Sequence, residues 1–288
     1  MWTCSLTGRN AARRALRSWT TGWQQAPEST LDPKNESGPI PFTSSSLLGL
    51  AYVRIYLNLG PYRELETRDP VRIANALYKL PPVKRSDGVI SALLYAAHAL
   101  SIPVRLGIDR VARSQAFFWS VRHSLSALEC GVLLSKWLHE LSASATTAGP
   151  LSGRSSPAYP GYICVLFLTS SGFQDSEDRI LHWVRCIVEE AYAAVDFDEE
   201  QSVFQGDPLS LSLAVLGIWA HFCEHTTYRW SPLTSSFSHC FTLACRLLTL
   251  GFEVKSNTQW PFINIIGSSL ERYRELLTCN DSRGPATE

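Results

Sequence analysis

The 288-residue chain carries no excess charge: 26 Lys and Arg offset 26 Asp and Glu, for a formal net charge of zero. Affinity for a phosphate backbone comes mostly from basic side chains, so this balance argues against a domain that binds nucleic acid by itself. A long apolar run is also missing. The most apolar stretch, LSLAVLGIWAHFC at residues 211–223, falls short of the roughly 20 residues that cross a bilayer and is expected to be a buried core helix. The opening MWTCSLTGRNAARR holds no apolar run and therefore no secretory signal. Without one, Cys4, Cys130, Cys164, Cys186, Cys223, Cys240, Cys245 and Cys279 give no ground for a disulfide framework. Most lie in apolar stretches and read as reduced, small core residues of a nuclear or cytosolic protein.

Several catalytic signatures are absent as well. A two-cysteine, two-histidine finger needs a close Cys pair followed by a close His pair. Cys240 and Cys245 are the pair nearest that spacing, and no histidine follows His239. His221 and His225 stand four apart and share a helix face, whereas His221 and Cys223, two apart, do not. Asp196, Asp198, Glu199 and Glu200 resemble half of a magnesium site, but such sites need carboxylates converging from two elements, and no second acidic cluster answers them. Gly149, Gly153 and Gly161 precede no Lys-Ser or Lys-Thr, so there is no phosphate loop, and there is no Gly-x-Ser-x-Gly elbow. His98 and His123 sit among apolar neighbours and read as structural, as does the aromatic stretch Phe117, Phe118 and Trp119. No catalytic, cofactor, metal or DNA-binding residue emerges, and no cofactor is expected in this chain.

What is present is hydrophobic content of 45% against 18% charged residues, enough to bury a sizeable core. Residues 1–27 form a basic segment with Arg9, Arg13, Arg14 and Arg17 and no acid, expected to be poorly ordered or helical; a mitochondrial presequence shares that composition. Residues 24–46 read as a connector. Helical signals then follow closely. Residues 46–59 are apolar on most sides and end at Gly60-Pro61. Asp69-Pro70 opens a helix that Pro81-Pro82 stops, because Asp caps unpaired N–H groups and Pro suits the first helical position. Asp87 opens another that ends before Pro103.

The longest signal runs over residues 109–141 in two apolar stripes. Phe118, Val121, Leu125, Leu128 and Val132 form one; Cys130, Leu134, Trp137 and Leu141 form the other. Two stripes predict a helix packed on both sides, as in the middle of a bundle. Residues 142–160 read as a flexible loop within one domain. YICVLFLTS at residues 162–170 is ambiguous by period and is assigned to helix. Ser176, with Glu177 and Asp178 in its first turn, opens an amphipathic helix. Asp207-Pro208 opens the next, and Pro261 the last. The fold class expected is all-α, one helical domain over residues 28–279 with a disordered tail over 280–288.

A family resemblance rests on four blocks in order. They are ESTLDPKNESGPIPF at residues 28–42, LLGLAYVRIYLNLGPYRELETRDPVRIANAL at 47–77, FFWSVRHSLSALECGVLLSKWL at 117–138, and NTQWPFINIIGSSLERYRELL at 257–277. Together they resemble the C-terminal half of the fungal-specific transcription factor domain, in the version attached to two-cysteine, two-histidine zinc fingers. The likeness covers most of residues 28–222 and 255–277. It implies a nuclear protein that regulates RNA polymerase II transcription through the transcription machinery or co-regulators. It also implies that DNA contact and zinc belong to a finger module outside this sequence, and that no membrane is involved. No residue-level site transfers.

Two departures from the family pattern stand out. Fingers and the first half of the helical domain are absent, so the chain is expected to be a truncated version that leaves an apolar face, residues 47–59, open to self-association. Residues 223–254 do not fit the pattern and read either as an insertion or as native sequence. The competing expectation is an α-helical enzyme or small-ligand-binding protein with a buried pocket, which would need convergent polar groups.

Overall fold

The computed structural model describes residues 6–29, 39–108, 121–147, 172–194, 207–224 and 261–281. Its elements are helices α1 (Leu6–Gln24), α2 (Pro39–Tyr56), α3 (Pro70–Tyr78), α4 (Val89–Leu106), α5 (Val121–Thr147), α6 (Phe173–Ala194), α7 (Pro208–Glu224) and α8 (Pro261–Asp281), with short 3₁₀ turns at Gly60–Tyr62 and Leu65–Thr67. Among the described residues there is no strand, and the fold is an all-α bundle.

Local chemistry sets several helix starts. The Asp69 carboxylate accepts from the Val71 N–H at 2.9 Å with Pro70 at the first position. Asp207 does the same for Leu209 and Ser210, at 2.9 and 3.0 Å. Each cap satisfies donors that the helix itself leaves open. Asp87, by contrast, is not a cap: Gly88 precedes α4 and no side chain caps it.

Helix α5 is the axis of the bundle. It packs against α2, α4, α7 and α8, while α8 also packs on α3 and α7, α6 bridges α4 and α7, and α1 lies on α2. Of the two predicted stripes, Leu125 and Leu141 are half-buried against the core, and Leu128, Cys130, Val132, Leu134 and Trp137 are buried. So are residues between the stripes, Ser124, Glu129, Leu133 and Ser135 among them. Helices α5 and α7 approach closely at Gly131. A Cβ on Gly131 would lie 2.9 Å from Cδ1 of Trp219, so the indole fits only because position 131 has no side chain.

The basic N-terminal segment, expected to be poorly ordered or helical, forms α1 over Leu6–Gln24, with Leu16 packed on the core. Several expectations are corrected. Residues 39–46, read as part of a connector, belong to α2. Helix α4 continues through the buried Pro103 to Leu106. Proline there forfeits one backbone bond, and burial of Leu100, Ile102, Val104 and Ile108 offsets it; the helix stops instead at Gly107, whose φ of 90° suits glycine.

That continuity makes α4, not residues 211–223, the helix long and apolar enough to cross a membrane by length and composition, with mean hydropathy 1.5. Most of it is buried, as a core helix would be. Helix α5 runs six residues into the expected loop, to Thr147, where Ser and Ala tolerate helical backbone and the Ser144 hydroxyl bonds the Glu140 carbonyl at 2.7 Å. Helix α6 starts at Phe173, upstream of Ser176. In residues 47–59, Leu48, Leu50, Tyr52, Val53, Leu57 and Leu59 are covered by neighbouring helices, leaving Leu47 as the exposed large apolar side chain of that segment. Of the cysteines, Cys130 and Cys223 are buried, but Cys186 and Cys279 are exposed. Residues 109–120, 148–171 and 225–260 lie outside the described residues, and with them the reading made for residues 162–170 and, beyond Cys223 and Glu224 at the end of α7, the structure of the segment 223–254.

Gly131→Ala separates two opposing terms. Alanine favours helix by about 1 kcal/mol over glycine. Overpacking against a rigid, fully buried Trp219 costs about 1–3 kcal/mol. Sterics outweigh propensity, and thermal unfolding should show a lower Tm for Gly131→Ala than for the parent chain.

Candidate functional site

Where α5 is enclosed, a buried charged side chain on it needs a partner inside the bundle. Glu177 on α6 is 1% exposed and receives three groups. Trp137 Nε1 donates to its Oε1 at 3.0 Å, Arg85 Nε donates to both oxygens at 3.1 Å, and Arg85 Nη2 donates to Oε2. The Arg85 guanidinium also lies 5.9 Å from the centre of the Phe173 ring. Read from the sequence as an acid in a first turn, Glu177 is a buried clasp joining α5, α6 and the segment before α4.

Glu129 on α5, also 1% exposed, holds a second clasp. Arg54 of α2 donates to its two oxygens at 2.8 Å each, and Arg63 reaches it at 3.4 Å. Hydrogen bonding to these carboxylates raises the pKa of both Arg54 and Arg85. A third tie is Lys136, whose Nζ donates to the carbonyls of Tyr78 and Leu80 at 3.2 and 2.8 Å and sits 5.7 Å from the centre of the Tyr273 ring. Burial pushes it down to about 8.

On another side of α5 lies a small cavity of about 30 Å³ between α2, α4, α5 and α7. Its walls include Tyr95, His98, His123, Ser126, Cys130 and Trp219. Burial, and secondarily Arg105, push His98 down to about 4, so it is neutral at physiological pH. Burial pushes Cys130 up to about 12, so its thiol stays protonated; the Ser126 hydroxyl lies 3.8 Å from it. Trp219 Nε1 is buried with no hydrogen-bond partner. The cavity is neutral and mostly apolar, with room for roughly two or three waters. No carboxylate lines it, and the two buried acids are each committed to arginine on other faces.

The candidates singled out in the sequence are not brought together. His98 and His123 share the cavity. His221 and Cys223 lie on α7, and Cys223 is buried. His225, His239, Cys240, Cys245, the acidic run at 196–200, the glycines at 149, 153 and 161, and Phe117, Phe118 and Trp119 lie outside the described residues. Among the described residues, no three His, Cys, Asp or Glu side chains could hold one metal ion. Sequence reasoning missed both buried glutamates. The arginines they bind stand 75 and 92 residues away, and no local pattern carries such a pairing.

Residues 58–243 match the family described as the fungal transcription factor C-terminal domain. This chain belongs to that family. The matched region spans α3 to α7, including both clasps apart from Arg54, whereas α1, α2 and α8 fall outside it; it also takes in residues 223–243, so that part of the segment read as departing from the family pattern lies within the match. No curated protein and no solved structure matches the chain.

Removing one partner from a buried ion pair strands the other, at about 3–5 kcal/mol. Arg85→Met should therefore be strongly destabilising. Adding Glu177→Gln removes the stranded charge while keeping an acceptor for Trp137, so the double variant should be more stable than Arg85→Met alone, as read from denaturant unfolding. His98 supplies a pH test. In the unfolded chain it titrates near 6.5, so between about pH 6.5 and 4 the unfolded chain binds the extra proton. Its stabilising effect is complete above that window and falls with acidification by up to about 3 kcal/mol. His98→Leu should flatten the unfolding free energy over this range.

Proposed function

We propose that this chain is the regulatory region of a fungal zinc-finger transcription factor, working in the nucleus on RNA polymerase II transcription. It acts through contacts with co-regulators or the transcription machinery, and it reaches DNA targets through a physically joined finger module. The observation that carries the reading is the family match over residues 58–243, nearly two thirds of the 288 residues. The tethered bundle supports it: the buried carboxylates are spent on holding helices together, and the His98 and Cys130 side chains are in their neutral forms. On this reading the chain is not an enzyme and holds no zinc of its own.

A second reading, a small-ligand-binding protein, draws on one observation, the neutral cavity with the unpartnered Trp219 N–H as one wall. Its 30 Å³ limits any guest to a few atoms, far below the usual ligand pocket.

Fusion of the full chain to an unrelated DNA-binding domain, with a reporter in a fungal host, tests the first reading. The fusion should activate or repress the reporter. Trp137→Ala, which removes a fully buried indole at about 3–5 kcal/mol, should abolish the effect. An inert fusion, with purified chain that turns over a small molecule, would replace this reading with the enzymatic one.

A further inference from the structure

Among the described residues, α2 to α8 each hold at least one fully enclosed side chain, Val53, Ile73 and Ile263 among them. Helix α1 holds none: from Gly8 to Gln24 every residue is half-buried or exposed. Of these, Leu16 is the side chain packed on the core. The Thr20 and Thr21 hydroxyls turn back onto α1's own carbonyls, at 2.7 and 3.0 Å. No ion pair among the described residues joins α1 to another element, so it has no counterpart to the clasps that hold α2, α5 and α6.

The charges of α1 also work against it. Arg9, Arg13 and Arg17 follow one another at four-residue spacing with no acid in the helix, so like charges line one side and repel. Arg9 lies in the first turn, where the helix dipole favours acids, and the last turn holds no base. Ser18, Thr20, Thr21 and Gly22 are weak helix formers. Such a segment is helical because it is docked. It docks over the end of α2: a Cβ on Gly88 would lie 2.5 Å from Tyr56 Oη and 3.2 Å from Arg13 Nη1. The Tyr56 hydroxyl is buried. Burial raises its pKa while Arg13, Arg17 and Arg9 act in the opposite direction, which places the arginine row beside this residue.

We infer that α1 is a strap that docks on and leaves α2 within the folded protein, with its own arginine repulsion setting the balance and Tyr56 uncovered when the strap is open. Segments with few enclosed side chains open at a fraction of the global unfolding free energy. The rest of the bundle stays closed, because its clasps and enclosed stripes do not involve α1. The strap is independent of the transcription reading. Amide hydrogen exchange of the full chain measures it, with α5 as the internal reference. In the parent chain α1 should exchange at least about 100-fold faster than the enclosed turns of α5, yet more slowly than an unfolded segment.

Raising salt from about 0.1 to about 1 M shortens the screening length from about 10 to about 3 Å, less than the about 5–6 Å between neighbours on a helix face. Exchange of α1 should then slow several-fold relative to α5. Arg9→Glu replaces one repulsion with a Glu–Arg pair and puts an acid in the first turn, so α1 should slow about fivefold and lose most of its salt response. Leu16→Ala should speed it about tenfold and leave α5 unchanged. Fraying of α1 alone would keep Tyr56 covered. Nitration by tetranitromethane, mapped by mass spectrometry, should therefore reach Tyr56 faster in Leu16→Ala and more slowly in Arg9→Glu than in the parent chain. Exchange of α1 and α5 together, through global unfolding, would overturn the inference. So would an α1 that already exchanges at the unfolded rate, an α1 rate unmoved by Arg9→Glu, or Tyr56 nitration indifferent to both variants.

Discussion

Where a helix is walled in by others, its polar side chains cannot reach water. That constraint, acting on α5, organises the rest of the bundle. Glu129, Ser135, Lys136 and Trp137 each need a partner, and each partner is drawn from a different element: Arg54 of α2, Ser212 of α7, the end of α3, and Glu177 of α6. An unmade hydrogen bond in the interior costs more than a made one gains. Every one of these ties therefore works less as glue than as a condition that wrong arrangements of helices fail to meet. An apolar α5 would fill the same space while accepting many rotations about its axis.

The polar ties and the apolar stripes thus divide the work. Burial of Leu128, Val132, Leu133, Leu134 and Leu138 supplies most of the drive to collapse. The two carboxylate clasps choose register. They sit on α5 and α6, and their arginines come from α2 and from the segment before α4, so these elements are cross-referenced by two long-range pairs. Ser135 donates to Ser212 at 2.8 Å and its carbonyl accepts from the same residue at 3.2 Å, fixing α5 against α7 in the same way.

What could be read in the sequence follows from how local the cause is. Asp69-Pro70 and Asp207-Pro208 announce helix starts because cap and helix are neighbours in the chain, and both caps are made. The two stripes on α5 are equally local, and they placed the helix between neighbours on both sides. Pro103 misled because its local penalty was weighed without the burial of Ile102, Val104 and Ile108, which comes from elsewhere. Glu177 misled for a related reason: an acid near a helix start has a sound local role, and only the approach of Arg85 and Trp137 gives it another. The cavity was not legible at all, since its walls come from four helices far apart in the chain. Family membership was legible, because separated blocks in order are themselves a non-local signal; the match takes in the blocks at 58–77 and 117–138, while those at 28–42 and 257–277 lie outside it.

The contact between Gly131 and Trp219 bears on how sequences of this family can diverge. Positions 131 and 219 share one volume, since the indole occupies space that a side chain at 131 would claim. A related sequence that carries any larger residue at the first position must carry a smaller one at the second, or let α5 and α7 move apart and disturb the Ser135–Ser212 pair one turn further on. The two positions should therefore change together through evolution, as a linked pair, and the size of one should predict the size of the other.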